Sequence, residues 1–156
     1  MIIRLPEVIV QPNVRSLCLH PYPDHPHGCP NYNHKLGCPP GATLFTDYFR
    51  MDQPIYAIII EFDLAHWVEI MRQKHPHWSY RQLSCCLYWQ TRARKFLEDE
   101  IIRFRLSIND ARKYHITRVP EADGVNVTET LAKVGVILEW PPMKIVRLVA
   151  IAGIPE

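Results

Sequence analysis

Six prolines fall between residues 21 and 40 (Pro21, Pro23, Pro26, Pro30, Pro39 and Pro40), and they exclude regular structure from the opening of this 156-residue chain. Each fixes φ and removes a backbone donor, so neither a helix interior nor a central strand runs through them. Residues 1–43 hold eight of the fourteen prolines and four of the eight histidines, and they show no helical periodicity. A long irregular stretch inside a compact domain is held either by function or by something other than a core. Composition therefore divides the chain near residue 45.

Three of the five cysteines, Cys18, Cys29 and Cys38, lie in that opening, spaced Cys18-x10-Cys29-x8-Cys38. Structural zinc sites present paired Cys-x2–4-Cys knuckles, because a tight turn aims two thiolates at one tetrahedral ion. No such knuckle occurs here. Three well-separated cysteines suit a larger object gripped at distant corners, and an iron–sulfur cluster, each iron taking one thiolate, meets that description. Gly28, Asn31, Asn33, Gly37 and Gly41 let the backbone curl around it. Metal binding also offsets the ordering entropy that a coreless loop cannot offset itself.

From Ile55 the pattern turns regular. Ile55 to Phe62 reads as a buried strand. Asp63 caps a helix carrying Leu64, Trp67, Val68 and Met71 at i, i+3, i+4, i+7, which stops before Pro76. Ser79 and Gln82 form a capping-box pattern ahead of a long second helix running to about Ile108. Its main stripe is Leu83, Cys86, Leu87, Leu97, Ile101, Phe104 and Ile108; Cys85, Trp89 and Phe96 lie opposite. On this reading Cys86 is a core residue and Cys85 the exposed thiol. A short helix from Asn126 or Thr128 closes at Gly135, and Val136–Trp140 and Ile145–Ile151 read as two strands joined across Pro141-Pro142. The expected class is α+β: a small mixed sheet packed against two or three helices, with the irregular metal-binding loop at its front. Residues 1–156 are expected to form one domain, 1–45 the loop region and 46–156 the scaffold.

Cys29-Pro-Asn-Tyr32 followed by Gly37-Cys-Pro-Pro40 resembles the signature of a family of predicted metal-binding, iron–sulfur-associated proteins of unknown function. Those proteins pair a Cys-x-Asn-Tyr element with a Cys-Pro-Pro element. Pro120 to Thr130, ending at Gly135, is similar to a later segment of the same family. Typical members carry further cysteines just before that segment, suggesting a second cluster. This chain has no cysteine after Cys86, so only the first site carries over, at Cys29 and Cys38, with Cys18 added by proximity.

The expected cofactor is thus a [4Fe–4S] cluster on Cys18, Cys29 and Cys38, with zinc as the alternative. The fourth position falls to Cys85, Cys86, a histidine (His20, His25, His27 or His34) or none. An open iron would serve sulfur or redox chemistry, with Arg92 and His34 as groups for anion binding and proton transfer. A zinc-stapled interaction module, or an RNA-associated protein with a structural metal, are the competing readings. The partner is then an unidentified small molecule or redox partner.

The basic run Arg92, Arg94, Lys95, Arg103 and Arg105 is interrupted by Glu98, Asp99 and Glu100, and Asp99–Arg103 has i, i+4 spacing. A salt-bridged, solvated face outweighs a nucleic-acid surface there. The net charge of +2 does not demand an anionic partner. The most apolar run, Ile55–Ile60, is strand-length, and Pro6 and Glu7 interrupt the opening apolar residues, so a cytoplasmic protein without a membrane partner is expected. In that compartment an odd cysteine count favours metal or redox chemistry over a disulfide framework. The sequence contains no Gly-rich phosphate loop, no Gly-x-Ser-x-Gly and no His-Glu-x-x-His, and conventional hydrolase chemistry finds no support.

Overall fold

The computed structural model describes residues 1–22 and 25–156. Pro23, read above as part of the irregular stretch, lies outside the described residues. The frame is a four-stranded sheet of β1 (Ile2–Leu5), β2 (Ile55–Asp63), β3 (His115–Thr117) and β4 (Ile145–Gly153), in the order β1-β2-β4-β3. All three pairings are antiparallel. The α+β class stands, with a sheet that is antiparallel rather than mixed. Around it lie α1 (Phe45–Tyr48), α2 (Leu64–Lys74), α3 (Tyr80–Leu83), α4 (Cys86–Ser107) and α5 (Val127–Ala132), with 3-10 turns at Pro12–Leu19 and Ala111–Lys113.

Successive strand residues face opposite sides of a sheet, and β2 is apolar on both. Ile58, Ile60 and Phe62 face a core built with α2 and α4. Ile55, Ala57 and Ile59 face a second core with Leu5, Val8, Phe45, Phe49, Val125, Val127 and Leu131. The sheet is thus the middle layer, and the second core is the floor on which the opening stretch rests.

Several local signals act as expected. The Asp63 carboxylate accepts the His66 N–H at 2.8 Å, Ser79 and Gln82 complete their capping box, and Asn126 accepts the Glu129 N–H at 3.1 Å. Four expectations are corrected.

The long second helix is two helices, because the chain turns at Ser84 and Cys85. There the Trp89 indole N–H takes the Ser84 carbonyl at 3.0 Å while its ring stacks on Phe62. The buried stripe of α4 follows from that anchor: Trp89, Ala93, Leu97, Glu100, Ile101 and Phe104. Cys86 is consequently exposed and Cys85 half-buried, the reverse of the expectation.

Val136–Trp140 forms no strand. β3 pairs with β4 only over Ile151–Gly153, and residues 136–140 do not pair along the rest of that edge. Instead Arg147 holds the Ile137 carbonyl at 3.0 Å and the Glu139 carboxylate accepts the Lys144 N–H at 3.2 Å. Finally, Arg103 pairs with Glu100 at 3.0 Å where Asp99 was expected.

Candidate metal centre

The opening stretch is held at both ends against one later segment. The Gln11 N–H donates to the Gly124 carbonyl at 2.7 Å, the Asn126 N–H to Ile9 at 2.8 Å, and the Phe45 N–H to Asp123 at 2.8 Å. Residues 123–126 thus hold the chain on either side of the cysteine loop, before it at Ile9 and Gln11 and after it at Phe45.

Within the loop, the three predicted cysteines come together through backbone crossings. The Cys29 N–H donates to the Cys18 carbonyl at 2.7 Å. That approach requires glycine at position 28, whose φ is +83° and where a Cβ would stand 2.5 Å from the Cys18 carbonyl oxygen. Cys38 is brought in by Arg15, whose guanidinium donates to the Pro40 and Ala42 carbonyls at 2.8 and 2.7 Å. Charge-assisted bonds of this kind contribute about 1.5–3 kcal/mol each. Arg15 therefore ties the Cys38 turn to the 3-10 turn that carries Cys18. Among the described residues, its buried Nε has no hydrogen-bond partner. Sequence reading missed this residue, because its partners are carbonyls 25 and 27 residues away.

The electrostatics match the convergence. Burial raises the Cys18 thiol pKa, and the charges of Cys29, Cys38 and Glu121 add to it, while Arg15 opposes them. Burial likewise raises the carboxyl of Asp123, against the Thr117 hydrogen bond and Arg15, which lower it. Cys18, Cys29 and Cys38 are all half-buried and unpaired as disulfides.

A recess of about 500 Å³ on the outer side of the loop gathers His25, His27 and His34 beside Cys29. Arg92, by contrast, lies on α4 with its guanidinium over the Phe96 ring. Among the described residues, no group of three or more His, Cys, Asp or Glu side chains is arranged to hold a metal ion. Cys29 and Cys38 lie near enough to Cys18 to act on it by charge, yet the three do not close around a common point.

A second cavity, about 510 Å³, adjoins the loop at Gly37, Ala42 and Thr43 and runs between Tyr48, Arg105, His115, Thr117, Arg118 and Asp123. The Tyr48 hydroxyl and His115 Nδ1 are hydrogen-bonded on its wall. These residues come from distant segments, and no sequence spacing marks them.

Comparison of the chain with protein-family models, with curated proteins and with solved structures gives no match. No helix among the described residues is long and apolar enough to cross a membrane.

Proposed function

We propose that this chain is a metal-binding protein that holds a [4Fe–4S]-type cluster through Cys18, Cys29 and Cys38. The observation that supports it is the convergence of three half-buried cysteines on one loop, enforced by the Cys29–Cys18 backbone bond and the Arg15 clamp. Metal ligands of this kind bind as thiolates, so binding would release protons and be favoured by rising pH. Their arrangement favours a cluster over one ion. A cluster takes one thiolate at each iron and so spreads its ligands, whereas zinc draws four donors to one centre. When bound, such a cluster supplies one-electron chemistry or a covalent brace. The loop's own residues hold it, shield it with prolines and present backbone N–H groups that tune its potential.

A zinc-stapled module is the second reading, favoured by the imidazoles of His25, His27 and His34 beside Cys29. Oxygen-free purification with counts of iron, sulfide and zinc per chain separates the two. About four irons with matching sulfide and a broad visible band are expected, and Cys29→Ala should lose them. One zinc without iron, or full iron in the Cys29→Ala variant, would overturn the cluster reading.

A further inference from the structure

The cavity between the loop and β3, about 510 Å³, is of a size that holds small organic ligands. None of the described residues on its wall is a cysteine, so it stands apart from the cluster reading.

Its position follows from the sheet. β3 is an outer strand, and all three of its residues line the cavity. Side chains alternate along a strand, so three in a row share one space only where that space follows the strand's open edge. On one side Ile116 packs with the core that holds α4. On the other, His115 meets Tyr48 of α1. The floor on the α1 side is apolar: Phe45 and Phe49 are buried, with ring centroids 4.5 Å apart.

The polar groups divide between two ends. Tyr48, His115 and Arg105 stand at the start of β3. The Tyr48 hydroxyl and His115 Nδ1 share a hydrogen bond, and either direction of that bond leaves a donor over. When Tyr48 donates, the imidazole keeps its Nε2–H; when Nδ1–H donates, the phenol keeps its O–H. Arg105 adds charge. Among the described residues it makes no ion pair, and its hydrogen bond to the Ala111 carbonyl is long, at 3.4 Å. Arg118, by contrast, is matched by Glu98. This end therefore offers donors and one uncompensated positive charge.

The other end, beside the loop, is an acceptor. Thr117 follows His115 on the same side of the strand, about 7 Å further along. It hydrogen-bonds the Asp123 carboxylate. A carboxylate has room for several such bonds, so Asp123 can also accept an O–H or N–H from a ligand.

We propose that this cavity binds a small aromatic molecule carrying an oxyanion at one end and a hydroxyl or amine at the other. The oxyanion lies against Arg105 and the Tyr48–His115 pair, the ring covers Phe45 and Phe49, and the far donor reaches Asp123. A para-substituted ring has the length that separates the two ends. A guanidinium matches carboxylate and phosphate monoester alike, and the test separates these two.

The test is titration calorimetry on the full chain with 4-hydroxybenzoate and 4-hydroxyphenyl phosphate, and with benzoate and inorganic phosphate as probes that each lack a part. At least one of the two bifunctional probes should bind one-to-one with a Kd below about 1 mM, and the tighter of them names the oxyanion. Arg105→Gln should weaken that binding about tenfold. Arg103→Gln, on the same helix but paired with Glu100, should not. Asp123→Asn should narrow the preference for 4-hydroxybenzoate over benzoate. Circular dichroism checks folding, and the arginine variants, both at exposed positions, carry the test if Asp123→Asn does not fold. Binding of neither probe would overturn the proposal. So would equal affinity in Arg105→Gln, equal loss in Arg103→Gln, or an unchanged preference in folded Asp123→Asn. Inorganic phosphate binding as tightly as the aromatic probes would overturn it too, since the ring would then contribute nothing.

Discussion

Gly28 and Gly37 share a positive φ but not a neighbourhood, and the pair separates backbone strain from collision. A left-handed φ costs a side-chain-bearing residue about 1–2 kcal/mol. At Gly37, φ is +82° and a Cβ would meet nothing within 4 Å, so strain is the whole effect. At Gly28 the Cβ would also press on the Cys18 carbonyl and come within 2.9 Å of the Leu19 carbonyl carbon. Backbone atoms there cannot swing aside as a side chain can. Gly28→Ala should therefore separate Cys29 from Cys18, and Gly37→Ala should not. Amide hydrogen exchange at Cys29, whose N–H makes the crossing bond, reads the difference: fast in Gly28→Ala, near the wild-type rate in Gly37→Ala. Equal rates in the two variants would mean that the crossing is not tight in solution.

At the scale of elements, the orientation of α4 is fixed from its buried side. Phe104 is fully buried and packs edge-on against Tyr114 and at a tilt against Tyr56. Phe104→Ala should cost about 3–5 kcal/mol in urea unfolding. Phe96, 39 % exposed on the same helix, should cost well under half of that. Similar losses at both positions would put the stripe in the wrong phase. That phase was only partly legible in the sequence. β2, α2 and the caps at Asp63, Ser79 and Asn126 are written in adjacent residues and could be read directly. The break at Ser84 could not, because the group that claims its carbonyl is an indole held by Phe62, a residue from another element. The missing strand at 136–140 has the same kind of origin, since the Arg147 guanidinium that takes the Ile137 carbonyl comes from another element. For the candidate site, the irregular loop that carries Cys18, Cys29 and Cys38 was legible because proline and spacing are local. The exposure of Cys86 and the clamp at Arg15 depend on contacts across the fold and left no periodic trace.

At the scale of the whole molecule, charge ties the segment after β3 to α4. Arg118, just after β3, grips Glu98 of α4 through two hydrogen bonds. The Glu98 carboxyl is held below its ordinary pKa chiefly by that bond. A carboxyl lowered in the folded state contributes stability that is complete above its unfolded value and is lost as pH falls through the folded one. Both side chains are about half exposed, so solvent screening keeps the contribution within about 1 kcal/mol. The urea midpoints of wild type and Glu98→Gln should therefore differ at neutral pH and converge as pH falls below the ordinary glutamate range. A gap that does not change with pH would mean that the pair contributes through packing alone. Asp123 has the opposite sign: its raised carboxyl means that acid relieves a cost under the loop.

The grip of residues 123–126 on the loop also sets a timetable. A chain is made from its N-terminus, and its parts fold as they become available. Cys18, Cys29 and Cys38 leave the ribosome well before Asp123, Gly124 and Asn126, whose backbone groups hold their loop. β4, the inner strand that both halves of the sheet need, follows later still. Until then the thiols sit on a stiff tether with nothing beneath it. The loop gains its backbone anchors only once residues 123–126 have been made, so its order comes late in the folding of this domain.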